Sequence, residues 1–225
     1  MRLRLHKQYT LTKALVAGDF MLVRGYRCLG KLPDEPMDLI IRAAGMMVES
    51  EFIQKDFEHN LDVTVDDYLE IITGKTAMLI VASAVTGAYL ATKNQDWIEA
   101  IHDYSNKIGL AFQMVDDILD VIGTSDTGKK IGIDITEGKP TLPTIFAMQD
   151  PVYGQEVRDI YSRVPTDEDV ARALELIRMS NAIEQCYSKA DEIVQEAIES
   201  LVILPDSEYK QSLIGLAKYI VRRNR

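Results

Sequence analysis

Cysteine is nearly absent from this chain: Cys28 and Cys186 are the only two in 225 residues. Two cysteines so far apart form neither a metal-binding spacing nor a disulfide framework, which leads us to expect a reducing compartment, the cytoplasm. Proline is scarce as well, and none occurs between Met37 and Lys139. Positive charge is in deficit, with 25 Lys and Arg against 35 Asp and Glu and a formal charge of −10. A nucleic-acid binder normally presents a basic face, so no nucleic-acid partner is expected. Apolar runs stay short of the roughly 18 residues of a membrane span. The segment Met1 to His6 also lacks the apolar centre of a signal peptide. No segment alternates long enough to predict a strand, and no linker or fixed repeat divides residues 1–225.

What remains is helical periodicity. Leu15, Leu22, Tyr26 and Leu29 fall on one stripe of a helix predicted over Leu11 to Leu29, which Gly30 and the turn Leu32 to Pro36 end. Met37 to about His59 reads as a second helix. Thr64 or Asp66 can cap a third, Val65 to about Gly74. It runs into Lys75 to Ala91, whose small residues on every side suggest a helix buried at the centre of a bundle. Further helices are predicted over Trp97 to Val121, Pro143 to Met148, Gln155 to Arg163, Asp167 to Met179, Ala182 to Leu201 and Asp206 to Arg223. Gly123 to Gly138 reads as a polar, glycine-rich loop. The expected class is a single all-α domain.

Chemistry concentrates between Ile108 and Pro143. Asp116, Asp117 and Asp120 project from neighbouring positions of one helix, with Gln113 one turn earlier. Like charges at that spacing cost a helix roughly 0.2–0.5 kcal/mol per pair. A hard divalent cation such as Mg2+, which favours one or two carboxylates together with water and phosphate oxygens, would offset them. The apolar flanks Phe112, Met114, Val115, Ile118 and Leu119 imply that the acids line a cavity. Just downstream, Lys129 and Lys139 sit among glycines, where backbone and ammonium groups can approach an anion. Lys75 is the other notable cation, since an ammonium entering an apolar helix needs an anionic partner. Thr73-Gly74-Lys75-Thr76 looks like part of a phosphate-binding loop, but the earlier glycine and the preceding strand are missing.

Taken together, these segments resemble the trans-isoprenyl diphosphate synthases. The likeness is carried by His6 to Tyr9, Ala14 to Phe20, Glu51 to Gln54, Tyr68 to Ala77, Ile108 to Asp120, Gly138 to Pro143 and Leu216 to Arg223. It implies an isoprenoid-synthase helical bundle around a central cavity. The implied activity is a Mg2+-dependent prenyltransferase that extends an allylic diphosphate with isopentenyl diphosphate. Asp116, Asp117 and Asp120 then match the second aspartate-rich motif, which binds Mg2+. Lys75, Lys129 and Lys139 match lysines on the diphosphate, and Gln113 and Thr76 match positions lining the same pocket. The family also carries a first aspartate-rich motif shortly before the stretch that His6 begins, and this sequence starts just past it. The expectation is therefore the C-terminal two-thirds of the family fold, poorly active alone and pairing as a homodimer or with a complementary synthase chain. The alternative is a regulatory subunit of another synthase.

Overall fold

A computed structural model describes residues 5–123 and 131–222. Lys129 lies outside the described residues. Among them there is no strand, and the chain runs as α1 (Leu5–Gln8), α2 (Leu11–Leu29), α3 (Asp34–Asp56), α4 (Val65–Ile72), a π-helical turn (Thr73–Ala77), α5 (Met78–Ala91), α6 (Gln95–Ile122), α7 (Ile133–Thr136), α8 (Leu142–Met148), α9 (Gly154–Tyr161), α10 (Asp167–Met179), α11 (Ala182–Ser200) and α12 (Glu208–Arg222).

The helix starts follow from local chemistry. Thr64 and Asp67 form a capping box, each side chain bonding the other's backbone N–H, and Thr166 and Asp169 repeat it at α10. Asp67 is thereby committed to the cap. Asn94 accepts from the N–H of Trp97 at 3.2 Å and opens α6. The second helix begins at Asp34, three residues before the predicted start. Pro36 sits in its first turn, where no intrahelical partner for its missing N–H is needed. The predicted loop from Gly123 to Gly138 also contains a helical turn, α7.

The centre of the bundle is α6, a correction to the expectation that Lys75 to Ala91 would occupy it. Helices α5 and α11 pack along α6, joined by α8, α12 and the π-turn. The larger core cluster gathers Ile108, Met114, Val115 and Ile118 of α6 with Tyr187, Ala190 and Val194 of α11 and Ala217 and Ile220 of α12. By contrast α5 buries Val81, Ala82 and Val85 and leaves Leu79 and Leu90 exposed. Its small residues serve close contact on one side only, where α3 and α6 cover it. Taken as one stretch, Val65–Ala91 is long and apolar enough to cross a membrane by length and composition alone. It packs against α3 and α6, with Lys75 hydrogen-bonded in its middle.

Candidate active site

The π-turn between α4 and α5 places Lys75 and Thr76. Its extra residue per turn lets the backbone bulge, and two glycines allow the neighbours to close on it. A Cβ on Gly109 of α6 would sit 2.5 Å from Cα of Ala77, and one on Gly74 would collide with the Ser50 hydroxyl of α3. The turn is thus clamped between α3 and α6 by backbone contact. Lys75 Nζ donates to Gln54 Oε1 at 2.6 Å and pairs with Glu51 Oε1 at 3.1 Å. The half-buried ammonium has the anionic partner that its position requires. On the other side, Thr76 Oγ1 donates to Gln113 Oε1 at 2.7 Å.

The acids of α6 divide into two groups. Gln113 and Asp117 form one i,i+4 pair along the helix and Asp116 and Asp120 another, and all four fall within an arc of about 100°. Asp117 is 6% exposed. Its Oδ1 accepts from Gln113 Nε2 at 2.8 Å and its Oδ2 accepts from the hydroxyl of Tyr68 at 2.7 Å. Burial, reinforced by nearby Asp134, pushes its pKa up to about 7 despite those two bonds. Asp116 and Asp120 are only partly buried.

The segment after α6 folds back onto Asp120. Gly132 N–H donates to the Asp120 carbonyl at 3.0 Å, and Asp134 N–H reaches Asp120 Oδ2 at 3.3 Å. Gly132 makes this return in the left-handed region, at φ 72°. Asp134 is brought beside Asp120, and burial together with that like charge raises its pKa to about 6, while Lys139 and Lys75 pull it down. Charged groups of α6, the π-turn and the segment that follows α7, namely Asp120, Lys75 and Lys139, therefore bear on one carboxylate. Lys139 Nζ pairs with Glu137 at 2.7 Å, and its backbone N–H bonds the Asp134 carbonyl at 2.8 Å. The preceding Gly138, at φ 68°, lies against the His59 ring. His59 N–H donates to the Gly138 carbonyl at 2.9 Å, and its Nδ1 faces the carbonyl of Tyr161 at 3.0 Å, so that nitrogen carries the proton. A cavity of about 410 Å3 opens here, lined by Glu51, Gln54, Lys55, Glu58, Glu137 and Lys139.

The structure thus brings Lys75, Thr76, Gln113, Asp117, Asp120 and Lys139 into one region from segments far apart in the chain. Among the described residues no group of three or more His, Cys, Asp or Glu is arranged to hold a metal by itself. Such a donor set suits a cation that binds through one or two carboxylates and completes its shell with water and phosphate oxygens, as Mg2+ does. Sequence reasoning did not single out Tyr68, Asp134, His59 or the roles of Glu51 and Gln54. The Glu51 to Gln54 segment and Tyr68 fall inside the stretches that carried the resemblance, the only signal available for them. Asp134, flanked by glycine-borne turns and lysines, had a weaker one.

Comparison with known proteins converges on one family. Residues 2–177 match the family model described as polyprenyl synthetase. The chain is 36% identical over 216 residues to an all-trans-nonaprenyl-diphosphate synthase (geranyl-diphosphate specific) of Rhodobacter capsulatus, covering 93% of this chain and 65% of that one. It is 31% identical to the octaprenyl diphosphate synthase of Escherichia coli, over 94% of this chain and 67% of that one. The chain thus spans about two thirds of the length of these relatives. Among solved structures, a polyprenyl synthase of Caulobacter crescentus complexed with calcium and isoprenyl diphosphate superposes with a TM-score of 0.89 at 32% identity, covering 98% of this chain and 69% of that one. A heptaprenyl diphosphate synthase of Staphylococcus aureus gives 0.93 at 26% identity, covering 100% and 71%.

Proposed function

This chain belongs to the polyprenyl synthetase family, and from that premise we propose that it carries the diphosphate-binding half-site of a prenyltransferase that extends an allylic diphosphate with isopentenyl diphosphate. The observation that carries the reading is the convergence at Asp134, whose N–H reaches Asp120 Oδ2 at 3.3 Å and whose carbonyl accepts from the N–H of Lys139 at 2.8 Å, with Lys75 near enough to act on its charge. Carboxylates and lysines meeting beside a cavity form a site for an anion that arrives with a cation.

In the reaction, the allylic carbon–oxygen bond breaks and the bonding pair leaves with the diphosphate. The double bond of isopentenyl diphosphate attacks the allylic carbon, and loss of a proton restores an alkene. Lys75 and Lys139, paired with Glu51 and Glu137 in the free chain, would exchange those partners for phosphate oxygens of the diphosphate. Mg2+, held by the acids of α6, Asp116, Asp117 and Asp120, would supply further positive charge against the leaving diphosphate. The relatives are named as synthases, which does not favour the regulatory-subunit alternative.

The exposed apolar side chains of α2 and α3, including Leu15, Phe20, Met21, Val48 and Phe52, support pairing with a second copy or a complementary synthase chain. Both cysteines are free, in keeping with a cytoplasmic setting. The test of function follows radiolabelled isopentenyl diphosphate with an allylic primer and Mg2+. It uses the chain alone and mixed with an N-terminal piece of a related synthase. Labelled prenyl product in either arm, abolished by Asp116→Ala, is expected. No product in both arms would overturn the reading.

A further inference from the structure

We propose that His59 is a positioning residue for the diphosphate site: it clamps the Gly138–Lys139 segment to the end of α3 and so sets where Lys139 stands across the cavity from Glu51 and Gln54. The consequence for binding rests on the diphosphate-site reading above, and the clamp itself rests on geometry.

Helix α3 ends at Asp56, and the N–H groups that follow turn back toward it, Phe57 to Ile53, Glu58 to Lys55 and Asn60 to Phe57. His59 breaks that series. Its φ is 61°, in the left-handed region, which a residue other than glycine keeps where its surroundings hold it there. Its N–H crosses to the carbonyl of Gly138 at 2.9 Å instead of returning to α3.

The imidazole adds two contacts. Tyr161 is the last residue of α9, where a carbonyl has no partner within its own helix, and His59 Nδ1 donates to that oxygen at 3.0 Å. The ring also lies on Gly138. A Cβ there would come to 2.5 Å from Nε2, so glycine, already at φ 68°, is what permits the approach. Helix α9 grips the same loop a second time through Arg158, whose guanidinium donates to the Leu61 carbonyl at 3.2 Å. His59 is thus held from α9 and in turn holds Gly138 by backbone and by ring.

The place of this clamp gives it a role beyond packing. One wall of the cavity is Glu51, Gln54, Lys55 and Glu58, from α3 and its end, and the other is Glu137 and Lys139. His59 follows Glu58 directly, and Gly138 stands between Glu137 and Lys139, so their bond joins one wall to the other. The N–H groups of Gly138 and Lys139 bond the carbonyls of Ile135 and Asp134, and Lys139 Nζ pairs with Glu137, all within their own segment. The clamp relates that segment to α3.

Two measurements test it on the intact chain. His59→Gly keeps the left-handed backbone and its N–H while deleting both ring contacts, and His59→Asn tolerates the same φ and places an amide NH2 where Nδ1 stood. The first measurement is titration calorimetry with Mg2+ plus inorganic diphosphate on the wild type, these two variants, Lys139→Ala, and His59→Gly combined with Lys139→Ala. Binding should weaken about fivefold in His59→Gly and stay within about twofold of the wild type in His59→Asn. Because His59 acts through Lys139, His59→Gly should cost nothing further once Lys139 is removed. Losses that add in the double variant, an unchanged affinity in His59→Gly, or a His59→Asn no better than His59→Gly would overturn the proposal. The second is amide hydrogen exchange by NMR, without ligand. The Lys139 amide should exchange about tenfold faster in His59→Gly, while that of Ile118, buried in α6, keeps its rate. An unchanged rate at Lys139, or an equal rise at Ile118, would overturn the clamp. If the wild type binds no Mg2+–diphosphate, the site reading falls, and exchange at Lys139 alone then decides the clamp.

Discussion

Helices α2 and α11 are each 19 residues long, yet α11 buries seven side chains and α2 buries none. Ala182, Cys186, Tyr187, Ala190, Ile193, Val194 and Ala197 lock α11 against the centre of the bundle. Leu15, Val16, Phe20, Met21, Leu22 and Val23 of α2 all stand more than half exposed. Both helices carry an apolar stripe of the right period. Periodicity therefore tells which face of a helix seeks cover, and says nothing about what covers it. The chemistry lies on the well-packed side: Asp116, Asp117 and Asp120 belong to α6, and Lys75 and Thr76 to a turn clamped against it.

The contrast can be broken where backbones touch. Gly109→Val should force Ala77 and the π-turn away from α6, because the atom met is backbone and cannot rotate aside. We expect a loss of about 1–3 kcal/mol or more by chemical denaturation, with loss of Mg2+–diphosphate binding as Lys75 moves. In the densely packed region, Ile118→Ala removes a side chain with no exposed surface and should cost roughly 2–5 kcal/mol. The same truncation at Phe20, 64% exposed, should change unfolding of the monomer by no more than about 0.5 kcal/mol. Its effect should appear in sedimentation as weaker self-association, and a stability loss matching that of Ile118→Ala would contradict the comparison.

A smaller effect separates the acids by pH. The folded-state pKa of Asp117 is raised to about 7 and that of Asp134 to about 6, both through burial. Between an unfolded carboxylate value of roughly 4 and those values, the native state holds more protons than the unfolded one, so stability falls as pH rises. The penalty is absent below pH ~4 and complete above the folded values. In metal-free protein the melting temperature should decline from pH 5 to pH 8, and Asp117→Asn should flatten part of that decline. A slope unchanged by this substitution would remove the burial account of Asp117.

Much of the fold was legible beforehand because its signals are local. Helices α2 and α10 have the bounds that stripe, cap and turn residues indicated, Leu11–Leu29 and Asp167–Met179. Of the two caps the sequence offered for α4, Thr64 and Asp66, it is Thr64 that opens the helix. Other features depend on partners distant in sequence. The exposure of one side of α5 is set by where α3 and α6 lie, which its own small residues do not encode. The π-turn arises from Gly74 and Gly109 closing on neighbours from two helices. At the site, Lys75, Asp120 and Lys139 were visible as unusual charges, whereas the tie between Tyr68 and Asp117 crosses 49 residues and leaves no trace in spacing.

The most direct test of the account is diffraction from crystals of this chain grown with inorganic diphosphate and Mn2+, a carboxylate-binding stand-in for Mg2+ that can be located by anomalous scattering. The account predicts a metal peak at the carboxylates of the α6 acids, Asp116, Asp117 and Asp120. The diphosphate should lie against Lys75 and Lys139. A metal remote from these acids, or a diphosphate remote from both lysines, would contradict it.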